Sequence, residues 1–574
     1  MTRTKYSAAM LFALLLALVT ALAAPARAEI KNDQYLKIRE EMKSLYVVQS
    51  LLSWAERTQG ERSVFEQSYK GHEDLFSKNS IGVVDKVLKG KLSDEDRLAA
   101  KFMKSALALE YVALDTAHFG DEANNMESQT TVTVPWDKEP VPYRQLDVLL
   151  DQEEDPDRRN QLQEIQAMVW KEKLNPIYER EQKRVEELTK ELGYSSVAAM
   201  SQELRNVDLK SLIDKSQAII AETDGMYKEL FAEQVKDILG KDASEFRRSD
   251  TGYFASVPGY KKFFPPELTI PAFMDLIEGM GMDMSTASGG EILVDDAMRE
   301  KKNPRAACYS ITVPDDVRIT VKPSGGIPDF ETFFHEGGHA LHFANSTTPV
   351  WEYQQLGNNA VTESYAGFME DMWSEPEWLL HYREFVKLYN KFQPPAKRVP
   401  VMTNEDIAKL IRNRVFWHLY FIRRYNGAKL LYESILHHGD ASLWNKYYKG
   451  QTSDLHQVYK ALFSDAYGYK LTDIESLRFR TDVDSYFYSA DYARSFLTKS
   501  MMHEYVRVQF GEQWFRDPRA GEFLKSLWAH ANSLQVEDVA ARMNMKPLDP
   551  EISLQHIKRL MDSADALAAA GDRK

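Results

Sequence analysis

The chain has 574 residues, 44% of them hydrophobic, and carries 86 Asp and Glu against 72 Lys and Arg, a net charge of −14. That length and apolar content suit two to four domains or one large helical body with a substantial core. The acidic balance argues against nucleic acid as a partner, and a single cysteine, Cys308, excludes an internal disulfide.

Residues 1–28 read as an export signal. Arg3 and Lys5 precede an apolar run from Ala8 to Ala24, and Ala26-Arg27-Ala28 fits a small-x-small cleavage site. Cleavage after Ala28 would place the chain in the periplasm or outside the cell. Its charge would then be near −17, because Arg3, Lys5 and Arg27 leave with the signal. The competing reading is an uncleaved membrane anchor. No cysteine follows the apolar run, which counts against a lipoprotein. No later stretch is long enough to span a bilayer, so no stable membrane association is expected once the signal is removed.

Helical periodicity runs over about 33–57, 94–117, 153–192 and 206–240. Asn175-Pro176 predicts a kink or break in the third of these, since proline lacks the helix N–H and restricts the residue before it. Thr130-Thr-Val-Thr-Val, followed by prolines, predicts a short extended segment and a loop. Residues 250–292 are rich in Gly and Pro and read as a connector with one helix, Ile270 to Gly281. The pattern then alternates in Tyr309-Ser-Ile-Thr-Val and Val317-Arg-Ile-Thr-Val-Lys, with Pro314-Asp-Asp between, which predicts a hairpin. Two roles are open for it: a structural one, or an edge that binds an extended peptide through main-chain hydrogen bonds. Cys308, in AACYSITV, reads as a packed thiol. From 358 onward helices return. The expected fold is mainly α, a large helical body with a deep cleft and a small antiparallel β element. Its expected divisions are the signal (1–28), an N-terminal helical region (29–245) and a C-terminal region (246–574) that holds the chemistry.

That chemistry begins at HEGGH, residues 335–339. On a helix His335 and His339 project from one face, one turn apart, and two imidazoles so placed share one zinc ion. Glu336, one position along, lies beside the metal, where it can take a proton from a metal-activated water. Gly337 and Gly338 each cost about 1 kcal/mol against alanine in a helix interior, so they need a reason. A catalytic zinc site needs a third protein ligand. Asn358-Asn359 offers an N-cap for a helix with the apolar stripe Val361, Tyr365, Phe368 and Met372. Glu363 and Glu370 share its other side; Glu363 is the candidate ligand and Glu370 the candidate partner for a ligand histidine's other N–H. His342, three after His339, is the competing third ligand, with the poorer geometry. His437-His438 read as surface or capping residues.

HEGGHALHF followed by VTESYAGFMEDMW resembles the zinc oligopeptidases of the thimet oligopeptidase and oligoendopeptidase F family. The approach to the hairpin, Asp296-Ala-Met-Arg-Glu-Lys-Lys-Asn-Pro-Arg-Ala-Ala, is similar as well. The resemblance spans roughly 290–375, with a weaker match over 478–545. It implies a zinc metalloendopeptidase that cuts short peptides, roughly 5 to 20 residues long, in a channel closed to folded proteins. It also implies that Asp484-Ser-Tyr-Phe-Tyr-Ser-Ala-Asp-Tyr-Ala-Arg-Ser-Phe supplies an oxyanion donor, with Tyr486, Tyr488 and Tyr492 as candidates. Arg494, in the same stretch, holds either a substrate carboxylate or a structural glutamate. The sequence departs from the family at Gly337, where a bulky residue is usual. A cleft widened next to the metal and a local packing difference both fit. Gly338, usual in the family, fits a close approach by another backbone or by substrate. Two alternatives stand beside this reading: a dipeptidyl carboxypeptidase resembling angiotensin-converting enzyme, and a catalytically inactive helical protein that binds peptides.

Overall fold

A computed structural model describes residues 30–439, 446–448 and 454–571; the export signal lies outside them. The body is mainly helical. Among its helices are α1 (Asp33–Gln59), α2 (Asp94–Gln129), α3 (Pro156–Val169), α4 (Asn175–Glu191), α5 (Leu209–Leu239) and α6 (Thr269–Gly279). Side-chain caps fix several starts: Asn32 accepts from Tyr35 N–H at 2.9 Å, Ser93 from Asp96 N–H at 3.0 Å, and Asp208 from Ser211 N–H at 3.0 Å. Each such cap contributes about 1 kcal/mol. Gly60 ends α1 in the left-handed conformation, at φ 69°, as glycine C-caps do.

At Asn175-Pro176 the chain does not break. A π-turn at Trp170–Leu174 joins α3 to α4, with Asn175 N–H reaching back to Trp170 C=O. Widening one turn makes room for the proline ring, so the helix absorbs a residue expected to end it.

Two small β elements are present among the described residues. Thr131–Val132 (β1) pairs antiparallel with Val141–Pro142 (β2). A three-stranded sheet contains Leu293–Asp295 (β3), Ala307–Thr312 (β4) and Asp316–Thr320 (β5) in the order β3-β5-β4. β4 and β5 form the expected hairpin, and β3, which alternation did not reveal, joins parallel to β5. β4 is therefore an edge strand.

The centre of the body is α7 (Ile327–Ala344), α8 (Asn359–Glu370) and α11 (Tyr488–Phe510), with α8 packed between the other two. α9 (Asn404–Phe421), α10 (Leu430–Leu436) and α12 (Pro550–Ala570) surround them. Pro328 occupies the first turn of α7, and Asp329 there accepts from Gly325 N–H at 2.6 Å. α8 is buried from Ala360 to Met369, on its carboxylate side as well as along its apolar stripe. The largest core runs from Ala198 through α5 to α12, so α5 shares its packing with the C-terminal region. A second core gathers α1, α2 and Val350–Leu356. Within it the buried Glu352 accepts from Tyr35 Oη and Arg39 Nε, each at 2.7 Å. The N-terminal helices are thus joined to the segment just after α7 by a buried ion pair.

Candidate metal centre

α7 and α8 approach closely because of one glycine. A Cβ at Gly338 would lie 2.7 Å from Ala366 Cα and 2.9 Å from Tyr365 C=O, which are backbone atoms of α8. Gly337 faces elsewhere. A Cβ there would sit 2.3 Å from the ring of Phe273 on α6, a ring packed between Phe333 and Phe334 at centroid distances of 5.5 and 5.2 Å. Of the two readings of Gly337, packing holds: it admits an aromatic ring into the core.

The close approach brings Glu363 to the histidines. Glu363 Oε2 lies 3.5 Å from His335 Nε2 and 3.8 Å from His339 Nε2. Ligands about 2.0–2.2 Å from a tetrahedral zinc are separated by about 3.4 Å, so the spacing fits one such ion. His335, His339 and Glu363 form the one group of this kind among the described residues. Glu363 Oε2 is buried and has no hydrogen-bond partner. A carboxylate oxygen left bare in a protein interior is costly unless a cation meets it.

The other ring nitrogens are already engaged. His335 Nδ1 lies 2.9 Å from Glu370 Oε2, and His339 Nδ1 lies 2.8 Å from Thr362 Oγ1. With their Nδ1 atoms so occupied, both rings present Nε2 lone pairs to the common point. His342 also bonds Thr362 through Nδ1, at 3.0 Å, and its ring is buried against Tyr365. It stands outside the ligand group.

The electrostatics follow from two carboxylates and two imidazoles in a dry site. Burial alone would push His335 down, but Glu363 and Glu370 flank it and hold it well above the ordinary histidine range. Burial dominates at His339 and pushes it down. Burial would raise Glu363, but His335, His339 and Tyr488 hold it below the usual carboxylate range. The site therefore demands positive charge, from a proton or from a metal ion that displaces it.

Glu336 accepts from the N–H of Cys308 on β4 at 2.7 Å. One carboxylate oxygen is thus pinned to the edge strand beside the metal ligands. The neighbouring outward carbonyl of β4, Ser310 C=O, accepts from Gln355 Nε2 at 3.2 Å.

The three tyrosines separate. Tyr488 donates to Glu363 Oε1 at 2.6 Å. Tyr492 meets Tyr488 edge to face with centroids 5.2 Å apart, and among the described residues no hydrogen bond engages its hydroxyl. Tyr486 lines a different cavity, with Glu181 and Tyr178. The loop that carries them is strained, since Tyr486 and Phe487 both have left-handed backbones at φ 51° and 57°. For non-glycine residues this costs about 1–2 kcal/mol each.

Two distant residues hold that loop. Glu433 on α10 accepts from Asp484 N–H at 2.8 Å and from Ser489 Oγ; burial first, then Asp484, pushes its carboxyl up to about 8. Arg205 donates to Tyr486 C=O, to Ser485 C=O at 3.3 Å and to Asp491, with its guanidinium 5.4 Å from the Tyr488 ring centroid. The Arg205 carbonyl accepts from Asn358, the N-cap of α8, at 2.7 Å. Arg494 closes the circuit, reaching Asp491 at 2.6 Å and Asn358 at 2.9 Å, so its acidic partner is an aspartate of its own helix and not the expected glutamate.

Thr362 and Arg205 escape the sequence reading. Thr362 immediately precedes Glu363 on the same helix, a position from which its hydroxyl reaches Nδ1 of His339 and of His342. Arg205 carries no local signal, because its partners are 280 residues away or more. His437, expected at the surface or at a helix cap, is the C-cap of α10 and is buried near Phe487.

No family model matches this sequence, and no curated protein matches it. Solved structures do. A Bacillus anthracis chain assigned as an oligoendopeptidase F matches at 14% identity with a TM-score of 0.64, over 98% of this chain and 97% of its own. PZ peptidase A, solved with an inhibitor, matches at 13% identity with a TM-score of 0.67, over 99% and 98%. The mainly helical fold is thus shared with these two structures from end to end.

Proposed function

We propose that this chain is a zinc-dependent metalloendopeptidase of short peptides that acts outside the cytoplasm. The observation that carries the reading is Glu363 Oε2, buried and unbonded, facing Nε2 of His335 and of His339. His335, His339 and Glu363 would hold the ion. When bound, zinc supplies a Lewis acid that acidifies a water molecule and polarises the scissile carbonyl. Glu336 accepts the proton of that water at its free oxygen and delivers it to the leaving amine, with Cys308 N–H fixing the carboxylate throughout. Edge strand β4 runs directly past Glu336; its Cys308 N–H and Ser310 C=O are taken by Glu336 and Gln355, so an extended peptide would pair with the outward groups that these two contacts leave over. Tyr488 steadies the ligand Glu363, and the unengaged Tyr492 hydroxyl is the donor for the developing oxyanion. Cleavage proceeds without a covalent intermediate.

The test is metal analysis of the purified protein together with cleavage of a quenched peptide before and after chelation. About one zinc per chain and loss of cleavage on chelation are expected. Cleavage that survives complete removal of metal overturns the reading. A stably folded protein carrying the same segment in a buried strand should resist cleavage.

A further inference from the structure

A cavity of about 840 Å³ lies between α1, α2, α4 and the tyrosine loop. Two links join its lining to the metal centre. Tyr486 lines it, two residues before the Tyr488 that touches Glu363. Ser53 lines it too, and its hydroxyl lies 3.4 Å from Tyr309 Oη on β4, beside the Cys308 that holds Glu336. The Ser53–Tyr309 contact therefore joins the cavity wall to β4.

The charged groups on the cavity wall are not equivalent. Asp121 is satisfied by Ser63 Oγ at 2.6 Å and by the N–H groups of Phe65 and Glu66. Glu56 faces Arg144 at 3.9 Å. Arg480 is taken by Gln182 at 2.5 Å and Glu179 at 2.9 Å. Glu61 and Arg62 are exposed at the rim. Glu181, on α4, is different: it is partly buried and, among the described residues, accepts no hydrogen bond and has no cation within 4 Å. Its surroundings are the aromatic walls Tyr178 and Tyr486, both of which feel its charge. Burial pushes its carboxyl up to about 7. An uncompensated carboxylate between aromatic rings, opening into a cavity, is a receptor for a cation.

We propose that this cavity is a specificity subsite of the peptidase, in which Glu181, flanked by Tyr178 and Tyr486, receives a cationic group of the peptide substrate. The inference rests on the peptidase reading above. The group is an ammonium or guanidinium, from a Lys or Arg side chain or from the peptide's free amino terminus.

The experiment uses the full-length protein and three quenched peptides of one sequence. One is acetyl-capped with lysine stepped through successive positions. One is acetyl-capped with norleucine in place of lysine. One has norleucine and a free amino terminus. At one position the lysine peptide, or else the free-terminus peptide, should exceed the capped norleucine peptide in kcat/KM by about tenfold, as a desolvated charge pair allows. Which one does so identifies the source of the cation. Glu181→Gln should bring that ratio close to one, and Glu181→Asp should keep part of it. The same peptides are offered to the Glu336→Gln variant, with binding read by fluorescence anisotropy. A cation preference in binding that depends on Glu181, together with a wild-type protein that cleaves none of the peptides, upholds the subsite and sinks the peptidase reading alone. Equal handling of all three peptides, or a preference that survives Glu181→Gln, overturns the subsite.

Discussion

The two sides of the metal centre are built by opposite means. On one side α7 and α8 carry His335, His339, Glu336 and Glu363, and backbone meets backbone through Gly338. Their catalytic groups all fall within 29 consecutive residues, 335–363. On the other side the tyrosine loop has a strained backbone and keeps its shape through Glu433 and Arg205, the latter some 280 residues upstream. The first side is rigid because nothing has room to move. The second is rigid only while a polar network, with members on four separate segments, stays complete. Chemistry that needs fixed metal ligands sits on the first side. The tyrosines proposed to meet the substrate sit on the second.

If that division is right, substitutions on the helix pair should act on metal or on the proton, and substitutions on the loop should act on turnover. The largest effect belongs to Glu336→Gln. It keeps the two histidines and removes the base, so kcat should fall by roughly 10³-fold or more with metal content unchanged. Near-normal kcat in that variant would refute the assigned mechanism.

Next comes Glu363→Ala, which should release the metal, set against His342→Ala, which should retain it. Metal content of both purified variants decides between them. His342 shares the Thr362 hydroxyl with His339, yet its ring is buried against Tyr365 and lies outside the ligand group. Loss of metal from His342→Ala alone would move the third ligand there.

A smaller effect is expected on the loop side. Arg205→Ala removes three donors and the guanidinium from the Tyr488 face. With about 2–4 kcal/mol of backbone strain no longer opposed, the tyrosines should lose their fixed positions. The expected result is about a tenfold loss in kcat with KM little changed and metal retained, and partial recovery in Arg205→Lys, which keeps a charge but not the fork. Metal loss equal to that of Glu363→Ala would erase the distinction between the two sides.

The same contrast explains what could be read in the sequence. HEGGH, the N-cap Asn358 and the position of Glu363 are local patterns with fixed helical geometry, so the meeting of His335, His339 and Glu363 and the mainly α fold were legible. The hairpin was legible from alternation, but β3, three residues long and paired in parallel, has no periodicity to detect. The choice among Tyr486, Tyr488 and Tyr492 was not legible. Two left-handed residues reverse the side-chain directions inside that loop, and neither is a glycine that would have flagged the turn. Arg205 was invisible because an arginine's long-range partners leave no trace around it. Gly337 could be seen to need an explanation, but Phe273 lies 64 positions upstream.

That glycine supplies the smallest and sharpest test. Gly337→Ala gains about 1 kcal/mol of helix propensity. It also drives a methyl into the Phe273 ring, 2.3 Å from the Cβ position, where Phe333 and Phe334 block the ring's retreat. Overpacking of this kind costs about 1–3 kcal/mol, so a net loss of about 1 kcal/mol is expected, read by chemical denaturation. Metal affinity should be nearly unchanged, because the ring lies in the core on α6 and not among the ligands. Adding Phe273→Leu should make Gly337→Ala more stable than Gly337 in that same background, since the space is now open and only the propensity gain remains. If alanine still destabilises there, the ring is not what the glycine serves. A change in substrate range without a change in stability would return Gly337 to the cleft.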